Sequence, residues 1–228
     1  MITLALDSTA KAAAVAILKG RELVAKDMHD DGNTHSSTLL PMVERLLSES
    51  SLSIDDIDLF AASSGPGSFT GVRIGAATIK GLAFGKDKPC APVSSLQALA
   101  YNMRDEDCIV CALMDARRGQ FYTATFEVKG GRVERLTPDE AKSGEDIAKA
   151  LSVYDRVYLV GDGAEVSLKY MGENAAVAPR ERLLADGESV ALCALDSDVR
   201  VSDAEFAPTY LRLPQAERER LERENKTK

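Results

Sequence analysis

Histidine is scarce in this chain: His29 and His35 are the only two in 228 residues. Six positions apart, they make neither H-E-x-x-H nor H-x-x-x-H, and a tightly held transition metal needs at least three well-placed ligands. A Ser/His/Asp triad has equally little to draw on, and no serine or cysteine stands in a nucleophile-elbow context. Long apolar runs are missing too. None approaches the roughly 20 residues of a bilayer span, and the opening MITLALDSTAK carries no charged leader, so a cytoplasmic protein without a membrane partner is expected. Excess positive charge is also lacking, since 28 Lys and Arg against 36 Asp and Glu leave a net charge of −8. Counterion release needs cations gathered against phosphates, so any contact with nucleic acid has to be local or made through a partner.

Four cysteines are present, and Cys108 and Cys111 form a C-x-x-C. The segment CIVCALM is a continuous strand-like run in which residues three apart point to opposite faces. The two thiols therefore diverge, and buried, reduced cysteines are expected rather than a metal site or a disulfide.

What is there reads as an α/β protein of two lobes, of about 100 residues each. The apolar runs 2–6 and 13–18 flank the polar stretch Asp7-Ser8-Thr9-Ala10-Lys11 in a hairpin pattern, with a third strand at 21–28. Leu39, Leu40, Val43, Leu46 and Leu47 recur at helical spacing, a strand follows at 57–63, and a second helix runs from about Gly71 to Gly85. The order β-β-β-α-β-α fits a ribonuclease-H-like lobe. A helix near 95–103 precedes strands at 108–114, 120–128 and 132–136, a helix at 144–152, a strand at 156–161 and a helix at 188–195, which echo the first half. No Pro/Ser-rich linker marks the boundary. The chain divides at 1–103 and 104–228, with Phe206, Tyr210 and Leu211 docking on a lobe before a charged tail from Glu217.

Four loops are candidates for chemistry. Gly65, Gly67, Ser68 and Thr70 sit between a strand and a helix start, where backbone N–H groups and glycine together make an anion-binding geometry or a purely structural tight turn. This loop is neither a Walker loop nor a G-x-G-x-x-G fingerprint. Asp7-Ser8-Thr9 reads as an Asx-type turn or a phosphate loop, but no glycine separates Asp7 from Thr9, which would crowd a phosphate. Gly161-Asp162-Gly163 reads as a turn or a degenerate nucleotide loop, and Asp115, Arg117 and Arg118 as a solvated turn or a small anion or RNA-backbone site.

The stretch from Gly65 through Gly75 to Ala83 closely resembles the signature of the TsaB (YeaZ) family, within the actin/Hsp70/sugar-kinase superfamily. The resemblance extends to Leu6-Asp7-Ser8-Thr9, His35-Ser36, Leu39-Leu40-Pro41, Met114 through Gly119, Gly161-Asp162-Gly163 and Pro208-x-Tyr210-Leu211-Arg212, in the family's order. It implies two ribonuclease-H-like lobes and a part in making threonylcarbamoyladenosine, the modified adenosine 3′ of the anticodon in tRNAs reading codons that begin with A. The implied role is a non-catalytic scaffold with no stably bound metal or cofactor, which binds the catalytic paralogue TsaD with the ATPase TsaE. It pairs with itself when alone and reaches tRNA only through the complex, where ATP or ADP could sit at an interface. The competing reading is an autonomous small-molecule kinase or ATPase of the same superfamily.

For the partner surface, the expectation is a face formed by Leu39, Val43 and Leu46 with Gly71, Gly75, Thr78 and Leu82. The helix from Gly71 to Gly85 is apolar over most of its circumference, so its small-residue face needs a cover. On this reading Gly75→Arg leaves a folded monomer that no longer pairs.

Overall fold

The structure is a computed structural model that describes residues 1–30 and 35–212. The charged tail expected from Glu217 lies outside the described residues. The first sheet is built from β1 (Ile2–Asp7), β2 (Ala13–Lys19), β3 (Glu22–His29), β4 (Leu59–Gly65) and β5 (Cys90–Ser94), in the order β3-β2-β1-β4-β5. β1, β2 and β3 form an antiparallel meander, while β4 runs parallel to β1 and β5 parallel to β4. Helices α1 (His35–Glu49), α2 (Phe69–Ala83) and α3 (Ser95–Tyr101) belong to this part of the chain.

The second half repeats the plan with β6 (Cys108–Asp115), β7 (Gln120–Lys129), β8 (Arg132–Arg135), β10 (Val157–Val160) and β11 (Ala175–Val177) in the order β11-β10-β6-β7-β8. An added strand, β9 (Glu140–Ser143), pairs with β7. Its helices are α4 (Gly144–Leu151), α5 (Ala164–Ser167) and α6 (Gly187–Asp196). In each sheet the first strand is central, its two meander partners lie on one side and two parallel strands on the other. This is the ribonuclease-H-like arrangement, present twice.

The first sheet is covered on both faces, which is why ITLAL and AAVAIL read as unbroken apolar runs. Leu4, Leu6, Val15, Ile17 and Phe60 pack with α1 and α2 on one side. On the other side Ala5, Ala16, Ala61 and Ala91 meet Val190, Ala191 and Ala194 of α6. Small residues let α6 approach closely, and at Gly187 a Cβ would stand 2.6 Å from the backbone of Val15 and Ala16.

That packing corrects the boundary at residue 103. It separates the sheets but not the cores, because α6 covers the first sheet and α3 sits between the two, with Ala98 and Tyr101 in one core and Leu96, Leu99 and Ala100 in the other. The chain after α6 also stays with the first lobe. Val201 bridges Cys90 on the edge of β5, and Phe206, 1% exposed, lies in the core beneath α1 and α2. The edge position explains how Pro92, which has no N–H to donate, is tolerated in β5.

Cys108 and Cys111 face different cores from β6, as the strand period requires, and all four cysteines are free. Among the described residues no helix is long and apolar enough to cross a membrane.

Candidate functional site

Between the lobes lies a cleft of about 600 Å³, onto which four of the sequence's marked segments converge: Thr9 to Lys11, Gly67 to Thr70, Asp115 to Arg117, and Asp162. Its fifth wall is the C-terminal segment Thr209–Arg212.

The β1–β2 turn is an Asx turn. Asp7 is 1% exposed, and its Oδ1 accepts the Thr9 N–H at 2.9 Å, while the Thr9 hydroxyl donates to the same carboxylate at 3.1 Å. Burial pushes the Asp7 carboxyl above the ordinary carboxylate range, against the opposing pull of the Thr9 hydrogen bonds and of His35. The ring of His35 lies close by, its Nε2 2.9 Å from the Ala10 carbonyl oxygen.

The Gly65–Gly71 loop closes on this turn. The Ser68 N–H donates to the Thr9 carbonyl at 2.7 Å, and the Ser8 hydroxyl donates to the Gly71 carbonyl at 2.9 Å. Glycine is required by close approach, since a Cβ on Gly67 would overlap the Thr9 carbonyl oxygen and one on Gly71 the Ser8 carbonyl oxygen. Ser68 is the N-cap of α2, accepting the Gly71 N–H at 3.3 Å. Of the four residues marked as an anion loop, Gly67, Ser68 and Thr70 line the cleft, whereas Gly65 is packed under the Thr209 carbonyl.

On the opposite wall Asp162 Oδ1 accepts the Asp115 N–H at 3.2 Å. Although the Asp162 side chain keeps contact with solvent, the surrounding protein raises its carboxyl above the ordinary range, and the charges of Asp115 and Asp7 raise it further. Among the described residues no three His, Cys, Asp or Glu side chains are grouped to hold a metal ion.

The C-terminal segment ties the lobes together. The Thr209 N–H donates to Ser64 O at 2.6 Å, and Arg73 Nε donates to the Tyr210 hydroxyl at 2.8 Å. Arg212 donates to Gln120 of β7 in the second lobe at 2.8 Å. Sequence reasoning had Tyr210 and Leu211 docking on a lobe but missed their place in the cleft wall. The Phe69–Tyr210 ring pair, 4.9 Å between centroids, joins residues too far apart in the chain for any local pattern to link.

The expected partner surface is corrected by the packing. Leu39, Val43 and Leu46 are 1%, 1% and 2% exposed, within the first core. Gly71 and Gly75 face β1 and its turn: a Cβ on Gly75 would stand 2.7 Å from Ser8 Oγ. The small-residue face is therefore covered by the lobe's own sheet. Thr78 and Leu82 are partly exposed, and Leu82 borders a shallow apolar groove with Leu40, Leu47, Leu52 and Ile54. Leu40 is 48% and Phe84 77% exposed.

Fold and site together define a two-lobed, duplicated ribonuclease-H-like protein with a cleft between the lobes. Residues 30–217 match the family described as TsaD, tRNA N6-adenosine threonylcarbamoyltransferase. The tRNA threonylcarbamoyladenosine biosynthesis protein TsaB of Bacillus subtilis is 31% identical over 97% of this chain and 99% of its own length. A tRNA N6-adenosine threonylcarbamoyltransferase of Novosphingobium aromaticivorans is 30% identical over 77% of this chain, but that match spans only 53% of the transferase. The solved structure of YeaZ from Pseudomonas aeruginosa superposes with a TM-score of 0.81 at 28% identity, over 92% of this chain and 99% of YeaZ. The chain belongs to the TsaB (YeaZ) family, whose members are named for tRNA threonylcarbamoyladenosine biosynthesis.

Proposed function

We propose that this chain serves tRNA threonylcarbamoyladenosine formation as a non-catalytic subunit, binding the transferase TsaD and, with it, the ATPase TsaE. The observation that carries this reading is the sealed first wall of the cleft. A nucleotide-using relative needs the turn after its first strand open to phosphate, whereas here Asp7 is held by Thr9 and the Thr9 carbonyl is bonded to Ser68. The Thr9 and Ser68 N–H groups, which a phosphate would otherwise use, are already taken by the Asp7 carboxylate and the Thr9 carbonyl. ATP or ADP is then held at an interface of the assembled complex rather than by this chain alone.

The groove bordered by Leu40, Leu47, Leu52, Ile54 and Leu82 supports a helix-mediated contact, since among the described residues this partly exposed apolar stripe between α1 and α2 lacks a cover. The same surface fits a self-dimer when the transferase is absent.

Two measurements on the full chain test the proposal. Tagged protein is expected to retain TsaD and TsaE from a mixture of the three at low salt, and to show no acceptor-dependent ATP turnover when alone. Metal- and acceptor-dependent turnover by the isolated chain at more than a few per minute would make it a kinase or ATPase in its own right. Failure to retain TsaD would remove the scaffold role.

A further inference from the structure

Positive charge gathers at the mouth of the cleft, on a chain whose net charge is −8. Lys11, Arg117 and Arg212 line the mouth, and Arg118 is exposed on the same β6–β7 turn. Arg73 stands at the rim, bonded to Tyr210. Two carboxylates, Asp115 and Asp162, lie among them, and Lys11 also pairs with Asp30 at 3.1 Å.

Aromatic rings are interleaved with these cations. The Arg73 guanidinium stands 3.8 Å from the centroid of Phe69, whose ring packs on Tyr210, and Arg212 stands 6.0 Å from the centroid of Tyr122. The turn that presents Arg117 and Arg118 is fixed. Both are in the left-handed backbone region, with φ of 66° and 56°, which residues with a Cβ rarely adopt. The Asp115 carboxylate accepts the Arg117 N–H at 2.7 Å, and the Gln120 N–H donates to the Arg117 carbonyl at 3.1 Å. A disfavoured conformation at two consecutive arginines, held by this bonding, is a feature that concentrates at functional sites.

We propose that the mouth of the cleft is a contact surface for a single strand of RNA, with phosphates on Lys11, Arg117 and Arg118 and bases against Tyr210 and Tyr122. The chemistry selects the class of ligand. Cations alone would suit any polyanion, but rings among cations suit a chain that alternates phosphates with flat bases. A duplex is disfavoured because its base faces are stacked and out of reach of the rings. The inference rests on the proposed part in tRNA modification, which makes the partner's substrate an RNA with an exposed loop.

The test uses the full chain alone and an unmodified anticodon stem-loop RNA carrying a fluorophore, with anisotropy followed from about 20 mM salt upward. Affinity is expected to fall with salt. In Arg117→Gln/Arg118→Gln the log–log slope should be shallower by about 1.4, since each phosphate contact to a single strand contributes about 0.7. Tyr210→Leu should weaken binding roughly fivefold or more at unchanged slope, because it removes stacking and no charge. Lys129→Gln/Arg156→Gln makes the same charge change at the far end of the second lobe and should leave the slope alone.

The proposal is overturned if the chain does not bind at low salt, if the two double variants lose equally, or if polyglutamate competes as well as RNA, which would assign the surface to an acidic protein segment. Capture of TsaD by each variant is measured in parallel. Failure of the unsubstituted chain to capture TsaD while it still binds RNA counts against the scaffold reading, and an unchanged RNA slope in Arg117→Gln/Arg118→Gln, with capture kept or lost, counts against this surface.

Discussion

Three glycines on α2 make opposite predictions from one helix. At Gly71 a Cβ would overlap the Ser8 carbonyl oxygen, so backbone would meet backbone and α2 would have to lift from β1. Overpacking of this kind costs about 1–3 kcal/mol, and the buried Ser8 hydroxyl would lose its Gly71 acceptor at a further ~1–3 kcal/mol. Relief of glycine's backbone entropy returns about 0.5–1 kcal/mol. The net effect of Gly71→Ala is a destabilisation of about 3 kcal/mol, or a fall in Tm of about 6–12 °C for a chain of this length. Gly81 has nothing within 4 Å of a Cβ. Gly81→Ala should therefore raise Tm by about 1–4 °C through helix propensity alone. Gly75 lies between these extremes for alanine, with Ser8 Oγ 2.7 Å away, but arginine has no path out, so Gly75→Arg should fail to fold rather than give a folded, unpaired monomer. Thermal melts by circular dichroism, with size-exclusion chromatography of each variant, measure all three. A Gly71→Ala protein that melts with the wild type, or a folded Gly75→Arg monomer, would refute the described seating of α2 on β1.

Asp7→Asn keeps an acceptor for the Thr9 N–H and removes a buried carboxyl whose pKa is raised in the folded state. A raised acid contributes stability that is full below its unfolded pKa and is lost as pH rises through its folded pKa, so the variant should gain on wild type as pH rises above the ordinary carboxylate range. Urea melts from about pH 4 to pH 7 read this directly, and a difference that shrinks with pH would reverse the sign. Phe206→Ala should cost about 3–5 kcal/mol, because the ring is 1% exposed in the first core. An unchanged urea midpoint would mean that the C-terminal segment is not part of that core.

Much of this architecture was legible because it is written in local periods. The two β-β-β meanders, the strand-loop-helix at Gly65 and the opposed faces of Cys108 and Cys111 follow from alternation and turn chemistry. Strands β5, β9 and β11 were missed. Each has five residues or fewer, and CAPVS carries a proline that counts against a strand until its edge position is known. The return of α6 to the first sheet could not be read either, since its alanines fit any close neighbour. The α2 face shows a more general limit. A helical wheel identifies which side carries small residues but not what that side meets, and here it meets the Ser8 carbonyl rather than another helix.

The duplication gives the two cleft walls a common plan and so makes their difference informative. Each lobe ends its first strand on an aspartate, Asp7 or Asp115, whose Oδ1 accepts the N–H two residues on, from Thr9 at 2.9 Å and from Arg117 at 2.7 Å. Each has, at the end of the strand parallel to its first, β4 or β10, a G-x-G that packs on its own first-strand turn: Gly67 against Thr9, Gly163 with a Cβ position 3.1 Å from the Asp115 nitrogen. The first residue of each G-x-G has positive φ, 124° at Gly65 and 100° at Gly161. From there the walls diverge. In the first lobe a 15-residue helix follows, and its N-cap residue donates its N–H to the Thr9 carbonyl, which closes the turn. In the second lobe a four-residue helix follows, and the Arg117 carbonyl accepts the Gln120 N–H from within its own turn rather than a helix N-cap, which leaves the two arginine side chains exposed. Backbone groups of both turns are hydrogen-bonded, so what distinguishes the second wall is its exposed Arg117 and Arg118 side chains. On the RNA proposal, recognition falls to the β6–β7 turn, with the rings of Phe69 and Tyr210 lining the same cleft.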